Sequence, residues 1–174
     1  MKIIIFLLVS ILSIIYAEAT GCENHAVSKN IANNGQKFHL KDTRTNQYLI
    51  VEANTMVLRT VTPEEFESAK QSEITWFTAC NGFTQVSEDN ANNYEICMAG
   101  LESQRLYHDQ FYGFFVFMEP QPSSTSYLPM NLRLVMNEQS NSIERASLFC
   151  SRGQLQLERN FIKIGSSQTL LSVE

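Results

Sequence analysis

The sequence is poor in basic residues, histidine and tryptophan. Its 174 residues include 13 Lys and Arg against 18 Asp and Glu, which gives a formal net charge of −5. This acidic balance argues against a general nucleic-acid binder, because such proteins neutralise phosphates with basic side chains. The 3 histidines also leave a small repertoire for acid–base catalysis. We therefore expect a partner other than nucleic acid.

The common catalytic motifs are missing as well. No serine lies in a Gly-x-Ser-x-Gly elbow. A small secreted hydrolase that uses His39 or His108 with Lys41 is the remaining catalytic alternative. Because Phe38 and Leu40 alternate with polar neighbours, we expect His39 simply to point outward from its strand. The sequence therefore predicts a protein that is not an enzyme.

Metal and cofactor motifs are equally scarce. No two cysteines have the close spacing of a zinc site, and none lies a few residues from a histidine. The acidic clusters at 64–67 and 88–89 lack the alternating acidic loop and central glycine of a calcium site. We therefore predict no metal and no cofactor.

The N-terminal segment has the three parts of a secretory signal peptide. Met1-Lys2 is a short positive start, residues 3–15 are apolar apart from two serines, and Ala17-Glu18-Ala19 supplies small residues for cleavage. The apolar run is shorter than the ~20 residues of a membrane-spanning helix. We predict cleavage after Ala19, which leaves residues 20–174 as a single secreted, extracellular domain without a membrane span.

Export determines how the cysteines are interpreted. The four cysteines, Cys22, Cys80, Cys97 and Cys150, predict two disulfides in an oxidising compartment. Three pairings are possible, and we favour Cys80–Cys97 with Cys22–Cys150. The domain is therefore predicted to be disulfide-stabilised, with each bridge contributing about 2–4 kcal/mol.

Short strand-like runs recur along the whole chain, with Asn, Asp, Gly and Ser between them. The runs cover residues 37–41, 48–51, 56–58, 74–77, 83–86, 94–98, 106–107, 114–117, 132–136, 147–150, 155–157, 161–164 and 169–173. Many short strands at a spacing of about 8–12 residues indicate a barrel or a sandwich. The proline- and serine-rich stretch at 119–130 is predicted to be a long surface loop. The fold class is therefore all-β.

One segment predicts a helix. Thr62 and Glu65 form a Thr-x-x-Glu capping box, and Pro63 suits the first helical position. Val61 and Phe66 are placed for a hydrophobic staple. We predict one short helix over residues 63–71.

The strands also suggest three units with a period of about 45 residues. The units would open at Phe38, at Phe83 and near Leu132. The order Phe38-x-Leu40, Tyr48-Leu49, Leu58 and Trp76-Phe77 resembles one lobe of a β-trefoil, whose plan is three units of four strands. The resemblance implies a β-trefoil fold, and an eight-stranded calycin-like barrel or a β-sandwich is the alternative.

Aromatic residues supply the candidate binding surface. Tyr107, Phe111 and Tyr112 lie in a predicted turn, and Tyr127 lies in the proline-rich loop. Binding residues concentrate on loops that a stiff scaffold positions. We expect a secreted protein that binds an extracellular protein as a cytokine-like ligand, inhibitor or effector. The alternatives are a barrel carrier of a small apolar ligand and a lectin, although the Gln-x-Trp repeats of ricin-like lectins are missing.

Overall fold

The computed structural model describes residues 36–82, 93–120, 125–137, 142–158, 161–167 and 169–174. The predicted signal peptide, Cys22 and the predicted strand at 83–86 lie outside the described residues. The strands are β1 (Lys37–Phe38), β2 (Leu40–Asp42), β3 (Tyr48–Glu52), β4 (Val57–Val61), β5 (Phe77–Gly82), β6 (Asn93–Met98), β7 (Leu101–Asp109), β8 (Phe115–Met118), β9 (Tyr127–Pro129), β10 (Asn131–Asn137), β11 (Ser142–Cys150), β12 (Gly153–Glu158), β13 (Phe161–Gly165) and β14 (Leu171–Val173). A helix, α1 (Pro63–Ala69), and a 3-10 turn, Glu73–Thr75, interrupt them.

Nine of the strands close into an antiparallel barrel. The ring runs β6-β10-β11-β14-β2-β3-β4-β8-β7 and returns from β7 to β6. This arrangement confirms the predicted all-β class and fits a barrel rather than two separate sheets. It contains nine strands, so the eight-stranded form of the barrel alternative is wrong in its strand count.

A second, shorter ring is contained in the same pairing pattern. β1 pairs with β5, and β2 pairs with β14, while His39 alone separates β1 from β2. The path β1-β5-β6-β10-β11-β14-β2 therefore begins and ends on one nearly continuous segment. Hairpins β3–β4, β7–β8 and β12–β13 connect strands of this path.

Large apolar side chains fill the space between the strands. A single core cluster draws on strands from β1 to β14 and includes aromatic, aliphatic and methionine side chains. Its largest buried members include Phe38, Phe77, Phe115 and Phe117. Burial of a side chain of this size contributes roughly 1.5–3 kcal/mol of free energy. The strands thus surround packed side chains.

The predicted helix forms, although it ends at Ala69 rather than Gln71. Both hydrogen bonds of the predicted capping box are present between Thr62 and Glu65. Val61 and Phe66 are both buried, in a second apolar cluster with Tyr48 and Ile50. The helix therefore attaches to the outside of β3 and β4.

This helix changes the environment of His39. Phe38 and Leu40 enter the main core as expected, and the ring of His39 contacts Phe66 instead, with centroids 4.8 Å apart. The ring also lies 3.6 Å from that of Trp76, and Nδ1 is 2.9 Å from the carbonyl oxygen of Thr75. The prediction that His39 points outward is wrong about exposure, because α1 and the segment after it bury the side chain.

Several predicted segment boundaries differ from those of the structure. Residues 74 and 75 belong to the 3-10 turn, and the strand begins only at Phe77. The predicted surface loop at 119–130 contains strand β9, which pairs with β7. The pairing of β9 with β7 is a tertiary contact that overrides the local sequence pattern.

The disulfide Cys80–Cys97 is present and links neighbouring strands β5 and β6. Cys150 is buried and has no disulfide partner among the cysteines that the structure describes. Its predicted partner, Cys22, lies outside that part of the chain, so the second bridge stays a prediction.

Candidate functional site

The candidate site is the turn that joins β7 to β8. The two strands pair from Arg105 with Met118 to His108 with Phe115. Leu106, Phe115 and Phe117 anchor the base of this hairpin in the main core. The turn therefore projects from a base that is fixed by burial.

A buried carboxylate organises the turn. Asp109 is buried, and its Oδ1 accepts the backbone N–H groups of Phe111 at 2.8 Å and Tyr112 at 3.0 Å. The backbone carbonyl of Asp109 accepts the N–H of Gly113 at 2.8 Å. The backbone N–H of Asp109 donates to the carbonyl of Phe114, also at 2.8 Å. Hydrogen bonds to an ionised group are stronger than those to a neutral one. These bonds therefore stabilise one turn conformation.

The turn presents an exposed group of aromatic rings, which we call the aromatic tip: Phe111, Tyr112 and Phe114. Phe111 is 82% exposed and Tyr112 is 73% exposed, whereas Phe114 is half-buried. The Phe111 and Tyr112 rings meet edge to face at 4.8 Å, and Tyr112 stacks on Phe114 at 5.9 Å. The rings therefore form one continuous apolar surface.

Glycine and strand β9 complete the turn. Gly113 has a φ of 77°, a conformation that disfavours residues with a side chain. On the other side, the Gln110 N–H donates to the Ser126 carbonyl at 2.9 Å, and Gln110 Nε2 donates to the Thr125 carbonyl at 2.6 Å. The segment before β9 thus braces the aromatic tip.

The structure brings together only two of the four predicted binding residues. Phe111 and Tyr112 share the aromatic tip, as expected for a turn. Tyr107 is buried inside β7, because the strand extends to Asp109 and the turn begins later than predicted. Tyr127 is half-buried in β9, in register with Asp109, so it supports the turn more than it presents a surface.

The role of Asp109 was not predicted from the sequence. An aspartate can accept the N–H of the residue two positions later and so initiate a turn. Asp109 followed by Gly113 is such a pattern, and it places the turn after Tyr107. The spacing of these two residues could have located the turn.

His108 lies at the base of the aromatic tip. Its ring packs against Phe115 at 4.9 Å, and Nδ1 is buried with no hydrogen-bond partner within the described ranges. Burial lowers the pKa of His108 below its usual range; Arg152 lowers it further, and Asp109 opposes the shift. The neutral ring is therefore favoured in the folded protein.

The other residues of the hydrolase alternative have structural partners. Nζ of Lys41 lies 3.3 Å from a Glu174 carboxylate oxygen, and that carboxylate also accepts the Tyr48 hydroxyl at 2.8 Å. The hydrogen bond with Tyr48 is the largest of the effects that raise the pKa of Lys41. Together with the two backbone hydrogen bonds between His39 and Glu174, these bonds hold Glu174 against β2 and β3.

The described part of the chain was searched for metal-ligand clusters and for helices that could span a membrane. Its residues contain no group of three or more His, Cys, Asp or Glu that could hold a metal ion. Glu64, Glu65 and Glu67 lie on or beside the first turn of α1, and residues 88–89 are not among those described. Among the described residues, no helix is both long enough and apolar enough to cross a membrane.

Comparisons with known proteins place the chain in no family. No protein-family model matches it, and no curated protein matches it significantly. The function of this chain is therefore inferred from its own residues.

Proposed function

We propose that this protein is a secreted, non-enzymatic binding protein that recognises an extracellular protein partner through the aromatic tip. The observation that carries the proposal is the 82% exposure of Phe111 on a turn fixed by buried Asp109. The signal-peptide pattern and the Cys80–Cys97 disulfide support an extracellular location.

Rigidity is what makes the exposed rings suitable for binding. Exposed apolar rings stay in contact with water at a free-energy cost that a partner surface removes. Binding also loses side-chain and loop entropy, and a turn that is ordered beforehand loses less of it. Aromatic side chains placed in this way are the usual anchors of protein interfaces. The aromatic tip combines both properties.

The packed interior favours this surface mode over the carrier alternative. A carrier encloses its ligand inside the barrel, where side chains line a cavity. Here Phe77, Phe115 and Phe117 are buried in the main core, and Phe77 lies 6.0 Å from Phe117. Aromatic side chains inside the barrel thus pack against one another.

We further propose that the domain is a β-trefoil. The shorter ring has six strands when β1 and β2 are counted as one. Each of the three units contributes its first and its last strand to this ring, and hairpins β3–β4, β7–β8 and β12–β13 supply the middle strands. This grouping starts the second unit at β6 rather than at Phe83, and it assigns β10 to that unit. The third unit then has four strands, β11 to β14, instead of the five suggested by the sequence.

The test compares two exposed aromatic positions. The double variant F111A/Y112A removes the aromatic tip, and F161A removes a ring that is 66% exposed on the β12–β13 hairpin. Each mature protein is immobilised and exposed to secreted and cell-surface proteins from the source organism, with crosslinking and mass spectrometry as the readout. We expect wild type and F161A to retain a common partner that F111A/Y112A loses.

Affinity for that partner then gives the quantitative test. We expect F111A/Y112A to weaken binding by at least about 2 kcal/mol, the threshold for anchor residues. Thermal unfolding of all three proteins shows that each is folded. Equal binding by wild type and F111A/Y112A, or equal loss in F161A, would contradict the proposed role of the aromatic tip.

A further inference from the structure

A second surface lies beside the β12–β13 hairpin. The turn after β2 and strands β11 and β12 line a cavity of about 360 Å³, with Ser167, Thr169 and Leu170 on another wall. A second cavity of about 480 Å³ shares Arg44 and Glu158 with the first and reaches Phe161. The two cavities thus form one open groove, which we call the Arg44 groove.

The floor of the Arg44 groove is built from buried polar groups. The carboxylate of buried Asp42 accepts a hydrogen bond from the backbone N–H of Arg44 at 3.0 Å and another from the Thr45 hydroxyl at 2.7 Å. Gln156 is also buried, and its Nε2 donates to the Ser167 carbonyl at 2.6 Å. Because these bonds satisfy the floor internally, its shape is set before any ligand arrives.

The walls keep positive charge available for a ligand. An Arg44 Nη donates to the Leu157 carbonyl, which holds the guanidinium against β12; among the described residues this hydrogen bond uses one of its five N–H donors. Arg145 Nη2 lies 3.3 Å from a carboxylate oxygen of Glu144 in a pair that is about half exposed. Such an exposed pair contributes little to stability, so an incoming anion can compete for Arg145.

The acidic groups of the groove are already engaged. Asp42 is used by the turn, and a Glu158 carboxylate oxygen lies 2.7 Å from Nζ of Lys163. The contacts with Lys163 are the main cause that lowers the pKa of Glu158, with Arg44 a smaller one. Arg44 and Arg145 therefore supply the groove with charged N–H donors, which match a carboxylate.

Phe161 adds an apolar platform next to these donors. It pairs with Glu158 at the first position of β13 and is 66% exposed, at the rim of the Arg44 groove. A sugar ring has one apolar C–H face that packs on an aromatic ring, while its hydroxyl groups need polar partners. Aromatic surface with a few converging polar groups is the usual make-up of a small-ligand site.

From this arrangement we propose that the Arg44 groove binds an acidic saccharide. Its carboxylate is held by Arg44 and Arg145, and its ring packs on Phe161. This is a second binding site, separate from the aromatic tip, and it does not depend on the proposed protein partner.

The probe is a glycan array that carries pairs of oligosaccharides, identical except that one of each pair bears a sialic or uronic acid. We expect wild type to bind at least one carboxylated member about tenfold more tightly than its neutral counterpart. Binding of neither member, or equal binding of both, would overturn the proposal.

Three variants locate the site on the protein. For the best carboxylated oligosaccharide, we expect R145Q and F161A each to weaken binding about tenfold in calorimetry. Arg145 is substituted rather than Arg44, because the described partner of Arg145 is an exposed side chain. R145Q is therefore expected to fold. The control F111A/Y112A should bind as wild type does. Unchanged binding by folded R145Q and F161A would place any saccharide elsewhere and overturn the proposal.

Discussion

The β7–β8 and β12–β13 hairpins share a base and differ at the tip. Leu106 on β7 and Leu157 on β12 are both buried in the main core. At the tip of the first hairpin, a buried aspartate orders a turn that exposes neighbouring aromatic rings. At the second, an exposed Phe161 borders a polar groove with two arginines.

This difference shows that exposed aromatic residues alone do not define a partner. Around Phe111 the nearest rings are Tyr112 and Phe114, so the surface is apolar and suits a pocket on a protein. Around Phe161 the neighbours are charged or polar, which suits a small ligand with a polar rim. The same residue type thus has two proposed roles, and the surrounding hydrogen-bond donors distinguish them.

The largest expected effect concerns the shared base. We expect Leu106→Ala and Leu157→Ala each to lower the free energy of unfolding by about 2–5 kcal/mol, because each leaves a cavity in packed core. Denaturant unfolding of the mature domain measures both. Leu101→Ala, at the exposed first position of β7, is the control and should change stability by less than about 0.5 kcal/mol. If only one of the two core variants lowered the free energy of unfolding by about 2–5 kcal/mol, the two hairpins would not be anchored equally in the main core.

The next effect separates the tips. Asp109→Ala removes the acceptor of two backbone N–H groups, so we expect a loss of about 1–3 kcal/mol in the free energy of unfolding. Asp109→Asn keeps a side-chain oxygen and should recover part of the loss. On the other hairpin, Glu158→Gln breaks an exposed pair with Lys163 and should change little.

Calorimetry of Asp109→Ala, Asp109→Asn and Glu158→Gln checks this order. If Asp109→Ala and Glu158→Gln had equal effects, the carboxylate of Asp109 would not organise the turn. Partner binding should follow the same order, because a disordered tip loses more entropy on association.

These contrasts also show how far the sequence leads. Alternation of polar and apolar residues predicted the all-β class, and local capping chemistry predicted α1, because both patterns depend on near neighbours. The turn residues Phe111 and Tyr112 were found for the same reason. The burial of His39 was missed because it depends on α1 and Trp76, which lie far along the chain.

The Arg44 groove was missed for a similar reason. It unites Arg44, Arg145 and Phe161, which come from three distant parts of the sequence. No short motif links them, because their proximity depends on the pairing of β2 with β14 and of β14 with β11. Sequence periodicity predicts where strands lie. It does not predict which strands pair when the barrel closes.

The smallest expected effect is a difference in pH dependence between the two hairpins. The pKa of His108 is lowered in the folded state, chiefly by burial, so between that pKa and its ordinary value of 6.5 the unfolded chain binds more protons. The free energy of unfolding should therefore decrease as the pH falls through about 6.5, and His108→Gln should lessen that decrease. In β12–β13 the lowered pKa belongs to Glu158, whose ordinary value is 4.5, so its contribution is present above that pH and is lost only as the pH falls through the lower folded pKa. Denaturant unfolding at about pH 7.5, 5.5 and 3.5 separates the two ranges. Loss of the decrease near pH 6.5 in Glu158→Gln, with no change in His108→Gln, would reverse this assignment.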